Sequence, residues 1–134
     1  MQPVCSLTMK HILFVCTGNT CRSPMAEGLL RKLAAERGIQ VEVRSAGVAA
    51  ASGMPISRHA EAVLRDHQAE GPGHSTQLNA SLIGWADLVL TLTRSHKQHV
   101  LQVFPDSVHK TYTLKEYVEN DNQVLNDLQE LDSL

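Results

Sequence analysis

The chain has 134 residues, 43% of them hydrophobic and 19% charged, ordinary proportions for one globular domain and not for a disordered chain. Twelve Lys and Arg against fourteen Asp and Glu leave a net charge of −2, so there is no global basic field for nucleic acid; no apolar run approaches the roughly 20 residues of a membrane-spanning helix. Three cysteines argue against a secreted disulfide framework, and MQPVCSLTMK is too short and too weakly apolar for a signal peptide, so the expectation is a soluble, cytoplasmic protein.

Along the chain, strands alternate with helices. His11 to Cys16 (HILFVC) is a short apolar run, the pattern of a strand buried on both faces. Pro24 to Arg37 reads as a helix with Met25, Leu29, Leu30 and Leu33 on its apolar face, Ser23 at the N-cap, Pro24 at the first helical position and Gly38 as its stop. Val41 to Ser45 alternates as a second strand, and Ala46-Gly47 turns out of it. Ser57 to Asp66 is a shorter helix behind the Gly53-Met54-Pro55 breaker, and Glu70 to Gly73 is loop. Asp87 to Thr91 (DLVLT) is another buried strand. Arg94 to Phe104 is a helix with Val100, Leu101 and Phe104 inward, and Pro105 stops it. Val108 to Tyr112 reads as a fourth strand. Val124, Leu125, Leu128, Leu131 and Leu134 fall at helical spacing near the end. The whole is an α/β domain with a parallel sheet.

Charge divides unevenly. Glu116 to Leu134 carries six acids and no base, which leaves eight acids against twelve bases before it, a mildly basic body with an acidic tail. Such a tail reads as a solvated face.

Chemistry concentrates in Cys16-Thr17-Gly18-Asn19-Thr20-Cys21-Arg22-Ser23, between a buried strand and a helix N-terminus, where anions bind in open α/β sheets. Gly18 permits a tight path, and successive backbone N–H groups can turn inward as a nest. Arg22 would close the nest with a planar fork that matches two oxygens of a phosphate. Cys16 then lies in the field of Arg22, the nest and the helix dipole, all of which favour negative charge on sulfur. The bland alternative is a buried strand-end cysteine and a surface arginine, but the strand before the loop and Ser-Pro after it weigh against that. A zinc site at Cys16 and Cys21 lacks two further ligands, so no metal and no cofactor is expected.

The stretch CTGNTCRSPMAE resembles the signature of the low-molecular-weight protein tyrosine phosphatase family, and within it the bacterial protein-arginine phosphatase branch. RSAG at Arg44 to Gly47, ADLVLTLT at Ala86 to Thr93 and LKEYV at Leu114 to Val118 extend the resemblance. It implies a phosphatase I-like, flavodoxin-like three-layer sandwich with a four-stranded parallel sheet flanked by helices. On that frame residues 1–9 form an N-terminal extension, residues 10–118 the phosphatase domain, and residues 119–134 an acidic segment incomplete relative to the family. The implied substrates are phosphorylated proteins, with no nucleic acid and no membrane as partner; nothing sets an oligomeric state.

The resemblance also assigns roles. Cys16 attacks phosphorus and forms a cysteinyl-phosphate that water hydrolyses. Thr17, Gly18, Asn19, Thr20, Cys21 and Arg22 bind the phosphate, Arg22 also stabilising the transition state. Ser23 hydrogen-bonds the Cys16 sulfur, and Asn19 fixes the loop through Ser45 and His74. Thr20 stands where tyrosine-directed members carry a bulkier apolar residue, and Val48, Ala49 and Ala50 offer no aromatic wall, so phosphoarginine is favoured over phosphotyrosine. Cys21 is placed to capture an oxidised Cys16 as a disulfide, while Cys5 reads as inert.

One family feature is missing. The family's general acid is an aspartate in an Asp-Pro pair near the C-terminus, and the five prolines here follow Gln2, Ser23, Met54, Gly71 and Phe104. Asp127 stands at about the right distance beyond LKEYV, but Leu128 follows it, so the general acid stays unassigned. Two other readings compete. Thiol-linked arsenate reductase needs further redox cysteines, and none follows Cys21. A phosphate-binding module that does not turn over its ligand draws support from the absent Asp-Pro but has no use for a thiolate.

Overall fold

The structure is a computed structural model that describes residues 10–118. Its strands are β1 (Lys10–Cys16), β2 (Val41–Gly47), β3 (Leu88–Thr91) and β4 (Thr111–Thr113), in the spatial order β2-β1-β3-β4 and all parallel. Between them run α1 (Arg22–Glu36), α2 (Arg58–Asp66), α3 (Ala80–Trp85), α4 (Arg94–Val103) and a 3₁₀ turn, Pro105–Lys110. Residues 114–118 are helical as well.

Strand β1 is central and apolar from Ile12 to Cys16, and alternation sends its side chains to two separate cores. Leu13 and Val15 join Ala46, Leu82, Ile83, Val89 and Val100 under α3 and α4. Phe14 joins Val43 and Leu90 on the other side, where Ala26 and Leu30 of α1 cover them. The result is the three-layer sandwich expected from the sequence. Among the described residues no helix is long and apolar enough to cross a membrane.

Several local expectations change. Helix α1 starts at Arg22, with Cys21 at its N-cap; Ser23 is fully buried inside the first turn instead of capping it. Its buried face is Ser23, Pro24, Glu27, Gly28 and Ala34, while Leu33 is exposed. The helix lies so close to the loop before His74 that Gly28 fits only because it lacks a side chain: a Cβ there would sit 3.1 Å from the Glu70 carbonyl oxygen and 2.5 Å from Leu64. Ala46 and Gly47 continue β2, pairing with Val15 and Cys16, and the chain turns after them. Val108 to Lys110 wind into the 3₁₀ turn behind Pro105, so β4 begins at Thr111. Helix α3, capped by Asn79 accepting from the Leu82 N–H at 2.9 Å, adds an element absent from the sequence reading. The periodic leucines beyond Val118 and Asp127 lie outside the described residues.

Candidate active site

Strand β1 delivers Cys16 to the C-terminal edge of the sheet, and the loop from Thr17 to Cys21 carries the chain into α1. Two neighbours shape that loop. Residues after β2 run alongside it, Val48 N–H donating to the Cys16 carbonyl and Ala49 N–H to that of Thr17, both at 2.9 Å. The approach at Gly47 is so close that a Cβ would lie 2.4 Å from the Thr17 carbonyl oxygen and 2.9 Å from the Asn19 nitrogen. From the far side, Ser57 N–H donates to the Thr20 carbonyl at 2.7 Å.

Inside the loop, Asn19 adopts a left-handed φ of 55° and is almost fully buried. Asparagine tolerates this conformation better than most residues. Its side chain is satisfied on three sides: the amide donates to Ser23 Oγ at 2.8 Å and to Ser45 Oγ at 2.9 Å, and Oδ1 accepts from Thr76 N–H at 2.7 Å. A backbone N–H can only donate, so the Thr76 bond fixes which end of the amide is oxygen. Ser23 has then accepted from Asn19, and its own hydrogen is free for Cys16 Sγ, 2.7 Å away. The Asn19 N–H donates to the same sulfur at 3.2 Å. Two donors converge on Sγ, the arrangement that suits a thiolate.

The chain of bonds continues to Glu27. Ser45 donates to Glu27 Oε1 at 2.7 Å, and Arg31 pairs with the other carboxylate oxygen. Burial lifts the Glu27 carboxyl above its usual range, outweighing the Ser45 hydrogen bond and the charges of Arg31 and Arg44 that pull it down. A proton held more tightly in the folded state contributes stability that is full below the unfolded value and lost as pH rises through the folded one. Wild type should therefore gain stability relative to Glu27→Gln, which keeps an acceptor for Ser45, as pH falls from about 7 to about 4.5. Denaturant melts of both proteins across that range test it; a flat or opposite difference contradicts it.

Around the sulfur, the N–H groups of Gly18, Thr20 and Cys21 have no acceptor among the described residues. Helix α1 opens onto the same space without a side-chain cap and without an acid in its first turn, so its positive end is uncompensated. Arg22 is exposed there, and its guanidinium makes no hydrogen bond or ion pair among the described residues. Unpaired, half-buried N–H groups call for an acceptor, and a tetrahedral oxyanion supplies one for each. The Thr20 hydroxyl is also unpaired among the described residues and lies beside Gly18, 3.7 Å from where a Cβ there would stand. Cys16 and Cys21 are both free thiols.

The structure thus gathers Cys16 to Ser23 and Ser45 into one cluster but leaves His74 outside it. His74 is exposed, its backbone bridging to Pro55, because the third bond to Asn19 comes from the Thr76 main chain two residues later. Glu27 and His96 are participants that the sequence reading missed. Glu27 sat in a helix whose apolar face was drawn through leucines. His96 lies in α4, where the apolar spacing of Val100, Leu101 and Phe104 carries no sign of it; its ring bonds the Thr17 hydroxyl at 2.8 Å.

Comparisons with known proteins return a consistent set of relatives. The family model described as low molecular weight phosphotyrosine protein phosphatase matches residues 11–130. A protein-arginine-phosphatase of Geobacillus stearothermophilus is 48% identical over 108 residues, which cover 81% of this chain and 71% of that protein. A protein-arginine-phosphatase of Bacillus subtilis is likewise 48% identical over 108 residues, 80% of this chain and 71% of that protein. Among solved structures, the YwlE arginine phosphatase from Geobacillus stearothermophilus superposes with a TM-score of 0.77 at 47% identity, covering 83% of this chain and 70% of that one.

Proposed function

The chain belongs to the low molecular weight phosphotyrosine protein phosphatase family and is a phosphatase, and from that premise we propose that it hydrolyses phosphoarginine in proteins through a phosphocysteine at Cys16. The observation that carries this reading is the sulfur of Cys16 beside N–H groups and an Arg22 guanidinium that have no partner among the described residues. Cys16 Sγ attacks phosphorus, the P–N bond breaks, and its electron pair leaves with the guanidine nitrogen, which takes up a proton. Water then attacks the phosphocysteine, the P–S bond breaks, and the sulfur departs as thiolate with inorganic phosphate released. Arg22 and the N–H groups of Gly18, Thr20 and Cys21 hold the equatorial oxygens through both steps. Ser23 stabilises the sulfur anion each time it forms, and Asn19 with Ser45 keeps the loop in shape.

Substrate choice follows from the mouth of the site. The Thr20 hydroxyl is available to a guanidinium N–H, and Val48 and Ala49, hydrogen-bonded along the loop, present with Ala50 no ring to stack a phenyl group. The names of the two 48%-identical relatives point the same way. The general acid remains unassigned: among the described residues no carboxylate hydrogen-bonds to the loop. Without one, the first step runs slower by about 10²–10⁴-fold, with anion binding untouched. We take residues 10–118 as the phosphatase domain and the cytoplasm as its compartment, where the free thiols of Cys16 and Cys21 fit a reducing environment. When a peroxide oxidises Cys16 to the sulfenic acid, the Cys21 thiol condenses with it, water leaves, and the resulting disulfide blocks activity reversibly.

Phosphate release from matched phosphoarginine and phosphotyrosine peptides tests the reading. We expect kcat/KM for phosphoarginine to exceed that for phosphotyrosine by at least about tenfold, or about 1.4 kcal/mol. A preference for phosphotyrosine would overturn the specificity and keep the mechanism. No release from either peptide by folded protein would leave a phosphate-binding module instead.

A further inference from the structure

We propose that His96 is a positioning residue of the phosphate loop: its imidazole, clamped between the hydroxyls of Thr17 and Thr93, holds the first turn of the loop in the shape that receives an oxyanion. The inference rests on the phosphate site described above and extends it to α4.

His96 is only 5% exposed, and both ring nitrogens are bonded. Nε2 lies 2.8 Å from Thr17 Oγ1 and Nδ1 lies 3.0 Å from Thr93 Oγ1. Thr93 is itself anchored as the N-cap of α4, where its hydroxyl also accepts from the His96 N–H at 3.3 Å. The ring is therefore a short rigid post between a helix end and the residue next to Cys16. Thr17 is exposed, and its hydroxyl has no other partner among the described residues. Its carbonyl is held by Ala49 from the opposite side. With both grips in place the Thr17 peptide cannot rotate, and the adjoining Gly18 N–H stays turned into the nest; releasing His96 leaves the single grip of Ala49.

The surrounding charges tie this post to the anion. Burial, then the charges of Arg22 at the start of α1 and of His99 on its own helix, hold His96 below the usual imidazole range. Of the elements packed on α4, β3 carries no titratable side chain. Tyr112 of β4 lies beneath Lys97, which is paired with Glu116. In the 3₁₀ turn, Lys110 is taken up by the Ile83 and Ala86 carbonyls, while Asp106 and His109 form no ion pair with the ring. No carboxylate lies within ion-pair distance of His96 among the described residues. Each threonine hydroxyl can accept as well as donate, so the clamp survives protonation. An oxyanion in the nest offsets the charge of Arg22, which makes protonation of His96 easier. By reciprocity, protonation of His96 tightens anion binding, and anion affinity rises as pH falls through the imidazole range.

Sulfate is the probe, because it stays dianionic across this range. We would titrate it by calorimetry at pH values from about 7.5 to about 5.5 into wild type, His96→Phe, His96→Gln, Thr17→Val and the Thr17→Val/His96→Phe double variant. His96→Phe is expected to weaken binding about tenfold at neutral pH and to flatten the gain on acidification. Thr17→Val should cost the same factor at neutral pH, and the double variant no more than either alone. His96→Gln, whose amide can reach Thr17, should recover affinity at neutral pH without recovering the pH slope. Wild-type affinity and slope in His96→Phe would overturn the proposal, as would additive losses in the double variant. If His96→Phe melts early, Thr17→Val decides, since it leaves the imidazole and its packing in place; unchanged affinity there sinks the clamp. A wild-type protein that binds no sulfate would overturn the phosphate-site reading and this inference together.

Discussion

Cys16→Ser is expected to lower turnover of a phosphorylated peptide by at least about 10³-fold while the protein stays folded and still binds sulfate. The hydroxyl fits where the thiol was, between the Ser23 hydroxyl at 2.7 Å and the Asn19 N–H at 3.2 Å. Neither of those groups is a base. A thiol can give up its proton to solvent and persist as an anion under two hydrogen bonds, whereas a serine needs a positioned base, and the loop holds none. Initial rates, thermal melts and sulfate titrations on the same preparations separate chemistry from folding. Retained turnover would mean that Cys16 is structural. Turnover and sulfate binding lost together, in a protein that melts early, would assign the residue to packing instead.

Arg22→Lys is expected to be nearly as damaging, with a fall in kcat of about 10²–10³-fold. Net charge is unchanged, so long-range attraction of phosphate survives and only geometry is removed. The planar fork at the start of α1 can span two equatorial oxygens and follow them as phosphorus moves from nitrogen to sulfur; an ammonium makes a point contact. The guanidinium has no other partner among the described residues, so replacing it leaves no structural bond broken. We therefore expect the melting temperature to hold and kcat to fall more than KM rises. A loss confined to KM would show that Arg22 serves ground-state capture alone.

The sequence made the central machinery legible because the phosphate loop is local. A buried strand, a glycine and asparagine turn, and a helix starting at Ser-Pro place Cys16 and Arg22 without help from distant segments. The short apolar runs from His11 to Cys16 and from Asp87 to Thr91 likewise mark two central strands. What escaped depends on contacts across the sheet. At Ser23 only the N-cap reading fails, since Cys21 holds that position and the Ser23 hydroxyl goes to the Cys16 sulfur, as the family resemblance implies. Leu33 was assigned to the core on spacing alone, whereas Glu27 takes a buried place on α1 because Ser45 and Arg31 receive its carboxylate. His74 was carried over from a family pattern, and the Thr76 main chain fills that role. The cover over the far end of the sheet, where Arg44 lies 4.4 Å over Trp85 and His11 stacks on it at 4.5 Å, leaves no short-range trace in the chain. His96 shows the same limit, since 79 residues separate it from the threonine it holds.

The covalent intermediate is the most direct test. A phosphoarginine peptide would be mixed with the wild-type protein and quenched at short times in alkaline denaturant, and the Cys16-containing peptide weighed by mass spectrometry. We expect phosphate on Cys16 during turnover, gone once the substrate is exhausted. Steady release of phosphate with no phosphocysteine at any quench time would contradict it.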